Sequence, residues 1–127
     1  MTPIFIALGG ALGSLLRWWL SETLAVTLGP QFPWGTLFVN VTGSFVIGAA
    51  AGGSWNDVRL IEIDAVRSFL MIGICGGYTT FSAFSLQTVS MLQAGDVGRA
   101  GINVVASLAA CLIATWAGYA LAAALAR

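Results

Sequence analysis

Histidine is absent from this 127-residue chain, and all five basic residues are arginine. The missing histidine removes the commonest metal ligand and general base. Charge of either sign is scarce, at 8% of residues against roughly a quarter in soluble domains. The five acids, Glu22, Asp57, Glu62, Asp64 and Asp96, all fall in loops or at the ends of apolar runs. With no carboxylate, histidine or lysine deep in a span, the usual apparatus of proton-coupled transport and of hydrolysis within a membrane is excluded. Cysteine is limited to Cys75 and Cys111, both inside apolar runs and without zinc-binding spacing. They read as small packing residues rather than a disulfide.

Hydrophobic residues make up 58% of the chain, and the mean hydropathy is +0.92. At about 20 residues per membrane-crossing helix, the length accommodates four spans and short loops but no soluble domain. The expected fold is therefore an all-α integral membrane protein, residues 1–127 forming one membrane domain. The spans are placed at 2–20, 34–54, 67–93 and 100–126. The first ends at Arg17-Trp18-Trp19, a snorkelling cation beside an aromatic belt. Pro30 and Pro33 mark the loop before the second, and the fourth carries no charge before Arg127. A soluble helical bundle would show a charged face on each helix, which these runs lack. The N-terminus has no basic region of the kind that opens a signal peptide, and it reads as a retained span.

Four spans place Arg59, Arg67 and Arg127 on one side of the membrane and Arg17 and Arg99 on the other, a difference of one. That is scarcely an orientation signal under the positive-inside rule. Two readings stay open: a chain that inserts both ways and pairs as an antiparallel dimer, or a single copy obeying a weak bias.

The third span departs from a plain anchor in Gly73-Ile74-Cys75-Gly76-Gly77-Tyr78-Thr79-Thr80-Phe81-Ser82-Ala83-Phe84-Ser85. At membrane depth every backbone polar group needs a partner, so a break near Gly76-Thr80 is tolerated only where protein or a polar cavity serves the freed groups. Such breaks mark ion or substrate sites, and the chain is expected to bind or move an ion. Phe81 and Phe84 share one helical face at i, i+3, while Ser82 and Ser85 share the next, about 100° round. Aromatic edges are positive and can meet an anion; the bland alternative is that the two rings are packing residues. Asn40 in Val39-Asn40-Val41 is a buried amide that needs either an interhelical hydrogen bond or an ion. Thr115 is weaker evidence, because a helical threonine can serve its own preceding turn. Gly9-Gly10-Ala11-Leu12-Gly13 and Gly43-Ser44 with Gly48 are small-residue spacings, assigned to close helix packing rather than ion contact.

Taken together, Gly76-Gly77-Tyr78-Thr79-Thr80-Phe81-Ser82-Ala83-Phe84-Ser85, Gly35-Thr36-Leu37-Phe38-Val39-Asn40 and Gly9-Gly10-Ala11-Leu12-Gly13-Ser14-Leu15-Leu16-Arg17-Trp18 resemble, in order and over essentially the whole chain, the Fluc (CrcB) fluoride channels. The resemblance implies a fluoride-selective passive channel of the bacterial inner membrane that exports fluoride from the cytoplasm and so reduces its toxicity. It also implies a dual-topology antiparallel homodimer with two fluoride pathways and a structural sodium ion (Na+) at its centre. Residues matching Phe81, Phe84, Asn40, Ser82, Ser85 and Thr115 line the fluoride path in that family. The sodium ligands are backbone carbonyls that map to Gly76 and Thr79. The arginine matching Arg17 serves folding or vestibule electrostatics. Two departures stand out: Ala83 replaces a usual threonine, and Gln87 replaces a usual glutamate, keeping hydrogen bonding but not charge. The implied partners are fluoride, sodium, a second copy and the lipid bilayer, with no nucleic acid and no enzymatic activity. One alternative is a small dual-topology multidrug exporter, which would need a membrane-embedded glutamate. The other is a non-transporting membrane subunit, whose Phe and Ser stripes would face partner helices.

Overall fold

The structure, a computed structural model, describes residues 1–53 and 60–127. In chain order the elements are α1 (Thr2–Leu28), α2 (Trp34–Gly52), α3 (Leu60–Arg67), a π-helical segment (Ser68–Cys75), α4 (Gly76–Tyr78), α5 (Phe81–Gln93) and α6 (Val97–Leu125). Four helical stretches, Thr2–Leu28, Trp34–Gly52, Asp64–Gln93 and Val97–Leu125, are long and apolar enough to cross a membrane. The described chain is thus all-α with four candidate spans.

The helix ends follow local chemistry. Pro3 falls in the first turn of α1, where a missing N–H breaks no helical bond. The helix then runs eight residues past the expected boundary at Leu20, to Leu28. Thr23 and Thr27 return their hydroxyls to the carbonyls of Trp19 and Thr23, each at 2.8 Å, and nothing in Ser21–Leu28 interrupts the helix. Gly29, at φ 91°, ends it in a conformation open to glycine. At the other end of the chain, Asp96 caps α6 by accepting the Arg99 N–H at 3.2 Å, which starts that helix ahead of the expected Ala100. Ser54, where the second span was expected to end, lies outside the described residues, as do Asp57 and Arg59.

Among the described residues, two long seams join the spans backbone on backbone. Along the first, α1 lies against the π-helical segment and α4. A Cβ on Gly9 would stand 2.9 Å from the Gly73 Cα, one on Gly13 would stand 2.6 Å from the Tyr78 nitrogen, and one on Gly77 would meet the Gly10 backbone. The second seam joins α2 to α6, with Gly48 on the Thr115 backbone and Gly118 on that of Phe45. Lipid tails are as apolar as leucine, so association rests on close packing of this kind rather than on hydrophobic burial. Large side chains such as Leu12, Leu15, Leu112, Ile113 and Trp116 accordingly point outward. The glycines Gly9, Gly13 and Gly48 of the small-residue spacings therefore act as packing surfaces, as their chemistry implied.

Candidate functional site

Where α2 passes the third span, the third span unwinds. Thr79 (φ −116°, ψ 117°) and Thr80 (φ −127°, ψ 110°) are extended, between the short turn of α4 and the start of α5. Gly76 and Gly77 themselves stay helical. Gly77 is required for its contact with Gly10 rather than for the turn.

Side chains take up the freed backbone. The Asn40 Oδ1 accepts the Thr80 N–H at 2.7 Å, and its Nδ2 donates to the Thr80 carbonyl at 3.3 Å. The Thr80 Oγ1 accepts the Ala83 N–H at 3.1 Å and so caps α5. On the near side, the Tyr78 and Thr42 hydroxyls are 2.7 Å apart, and Ser14 donates to the Gly77 carbonyl at 3.4 Å. These bonds have a consequence for two carbonyls. In a continuous helix the Thr80 N–H would serve Gly76 and the Ala83 N–H would serve Thr79. Both donors are taken, by Asn40 and Thr80, so the Gly76 and Thr79 carbonyls lose their helical partners. Gly76 lies on an exposed face with no other atom near its Cα substituent position.

Beside the unwound residues lies a recess of about 360 Å³, walled by Asn40 and Ser44 of α2, Thr79 to Phe81 and Phe84 of the third span, and Ser107 and Cys111 of α6. The rings of Phe81 and Phe84 are 5.3 Å apart and tilted by 51°. Phe84 is 8% exposed and Phe81 74% exposed, so one ring is set in the wall and the other stands on the open side. Nearer one end of the spans is a second cavity of about 380 Å³, bounded by Ser21, Gln31, Trp34, Thr36, Gln87 and Ser90. The Gln87 Oε1 is buried there without a partner. At its rim, Arg99 is paired with Asp96 at 3.2 Å and donates to Gln31 at 3.2 Å.

Of the residues singled out from sequence, the recess brings together Asn40, Phe81 and Phe84, with Thr79 beside them. Ser82, Ser85 and Thr115 are not on its wall. Ser82 is 3.1 Å from the Thr80 hydroxyl; Ser85 and Thr115 return their hydroxyls to the carbonyls of Phe81 and Cys111 at 2.9 Å. Arg17 is half-buried on α1 and lines neither cavity. Sequence reasoning missed Asn103, which is 1% exposed, donates to Thr88 at 2.9 Å and accepts from Ser107 at 3.4 Å. The signal was available, since an amide in an apolar run raises the same question for Asn103 as for Asn40. It also set aside Ser44 and Cys111 as packing residues, although both face the recess.

Comparison with known proteins places this arrangement. The family model described as CrcB-like protein, Camphor Resistance (CrcB), matches residues 4–119. The chain belongs to the CrcB family. Among curated relatives, a protein of Rhodospirillum rubrum named fluoride-specific ion channel FluC is 52% identical over 119 residues, covering 94% of this chain and 92% of the relative. One of the same name from Opitutus terrae is 53% identical, covering 91% and 88%. A third, from Paramagnetospirillum magneticum, is 49% identical, covering 94% and 93%. These CrcB relatives are named as ion channels, not enzymes, and their likeness spans all four candidate membrane helices of this multi-pass bacterial membrane protein.

Proposed function

We propose that this CrcB chain is a fluoride-selective passive channel of the inner membrane, working as a dual-topology antiparallel homodimer. The observation that carries this reading is the recess at Thr79–Thr80, where an amide and two tilted aromatic rings converge on backbone that has left the helix, in a chain about half identical to named fluoride channels over nearly its full length. Fluoride is small and strongly hydrated, and a narrow path of N–H, O–H and ring-edge donors can replace its water where chloride is too large. One Asn40 N–H remains for the anion after the bond to Thr80. Ser82 and Ser85 continue the polar surface beside the exposed Phe81, Thr115 lies a turn beyond Cys111, and the second cavity, with Gln87 in its wall, receives the anion from water. Arg17 contributes to the electrostatics of the fold.

Fluoride enters a cell as neutral HF and ionises inside. A negative-inside potential then drives the anion outward by about 2.3 kcal/mol per 100 mV, with no coupling residue needed. The scarcity of arginine bias and the exposed face around Gly76 and Phe81 fit a second, inverted copy. The Gly76 and Thr79 carbonyls suit a sodium ion at that contact, since hard cations take oxygen ligands and these two oxygens have lost their helical donors.

Fluoride efflux from liposomes that hold only this protein tests the reading. Flux that is selective over chloride is expected, and comparable chloride flux in the same vesicles would overturn it. Cysteine tags at position 57 should label from both sides of the membrane in one population, whereas labelling from one side alone would remove the antiparallel dimer.

A further inference from the structure

Seven hydroxyls in these helices share one habit. Thr23, Thr27, Thr42, Thr79, Ser85, Thr88 and Thr115 each donate to the carbonyl four residues earlier. That habit is how a polar side chain is accommodated in a membrane helix. Ser44 does not follow it. The carbonyl four residues before it is that of Asn40, and Ser44 makes no hydrogen bond to it or to any other described residue. Its side chain is instead on the wall of the recess, one turn along α2 from Asn40 and across from Phe84, Ser107 and Cys111.

We propose that Ser44 is an anion-binding residue of this chain. Resting on the channel reading, its hydroxyl donates to a dehydrated fluoride in the recess together with the Asn40 N–H that Thr80 leaves free. Ser44 is half-buried and open to the recess, so its uncommitted hydroxyl is available to whatever acceptor enters the cavity. A bare anion is the strongest acceptor the recess can hold, because a hydrogen bond to a charged group is roughly twice as strong as a neutral one. The i, i+4 spacing puts Asn40 and Ser44 on one face of α2, so their donors point at the same space from successive turns. Neighbouring Ser107 spends its own hydroxyl on Asn103, which leaves Ser44 as the hydroxyl on this wall with no competing acceptor.

The test compares wild type with Ser44→Ala in liposomes, reading the fluoride concentration that gives half-maximal flux. A rise of about tenfold is expected from losing one charge-assisted bond, with dimer recovery and melting temperature unchanged. An unchanged half-maximal concentration would overturn the proposal. A second arm places Ser44→Cys in a Cys111→Ala parent and follows its modification by a small methanethiosulfonate. Fluoride, but not chloride, should slow the labelling. Labelling indifferent to fluoride, or absent, refutes the site even if Ser44→Ala fails to fold. Absence of flux in wild type would sink the channel reading, while fluoride protection of the cysteine would still stand or fall by itself.

Discussion

Before the unwound residues, from Ser68 to Tyr78, the third span is pressed backbone to backbone against the glycines of α1; beyond them, from Phe81 to Gln93, it is held by a few polar side chains and has a cavity on two flanks. The first half has no space for an added methyl group at its contacts. The second leaves a ring 74% exposed and a glutamine oxygen without a partner. Close backbone packing fixes position, and a loosely filled, polar flank provides room for a ligand. The span needs both, since a site of donors works only if its supports do not move.

Breaking the packed half should have the largest effect. Gly13→Val inserts a branched side chain against the Ile74 carbonyl and the Tyr78 nitrogen and should cost more than about 3 kcal/mol, eliminating folded protein on size exclusion. Gly98→Ala, on an exposed position of α6, is the control. Its Cβ meets nothing within 4 Å, so folded yield should match wild type.

Cutting the tie between the halves comes next. Asn40→Leu leaves the Thr80 N–H without an acceptor and should lower stability by about 1–3 kcal/mol in a melting assay, while fluoride flux per folded dimer falls to background. Intact flux would reduce Asn40 to helix glue.

Within the open half, Phe84→Ile and Phe81→Ile should separate stability from function. The buried Phe84 should cost about 1 kcal/mol and the exposed Phe81 less, judged by melting temperature. Both should lose conduction if ring edges meet the anion; near wild-type flux in both would end the aromatic-path reading. The smallest effect on flux is expected from Thr42→Val, which removes one hydroxyl partner from Tyr78 and should lower stability by about 1 kcal/mol with flux largely retained.

Much of this was legible in the chain. Long apolar runs with terminal charges require helices across a membrane, and a cluster of glycines and hydroxyls inside one run requires an exception to helical bonding. Asn40 was legible as an amide in need of a partner, but its partner, 40 residues away, was not. Thr42 and Tyr78 were opaque for the same reason. Gly77 looked like the residue that turns the chain, yet the turn falls at Thr79–Thr80 because Asn40 captures the N–H of Thr80 and leaves the glycine helical. Ser44 resembled a packing residue because its neighbours Gly43 and Gly48 are packing residues.

Sequence alone determined that this protein lies in the membrane, that its helices associate through small residues and that its third span is interrupted, because each follows from the local demand that backbone groups be bonded in a medium without water. Tertiary structure decided which carbonyls go unserved, which ring is buried and which hydroxyl faces the cavity. Those depend on the register between α2 and the third span, and register is set by contacts between residues that the chain itself keeps far apart.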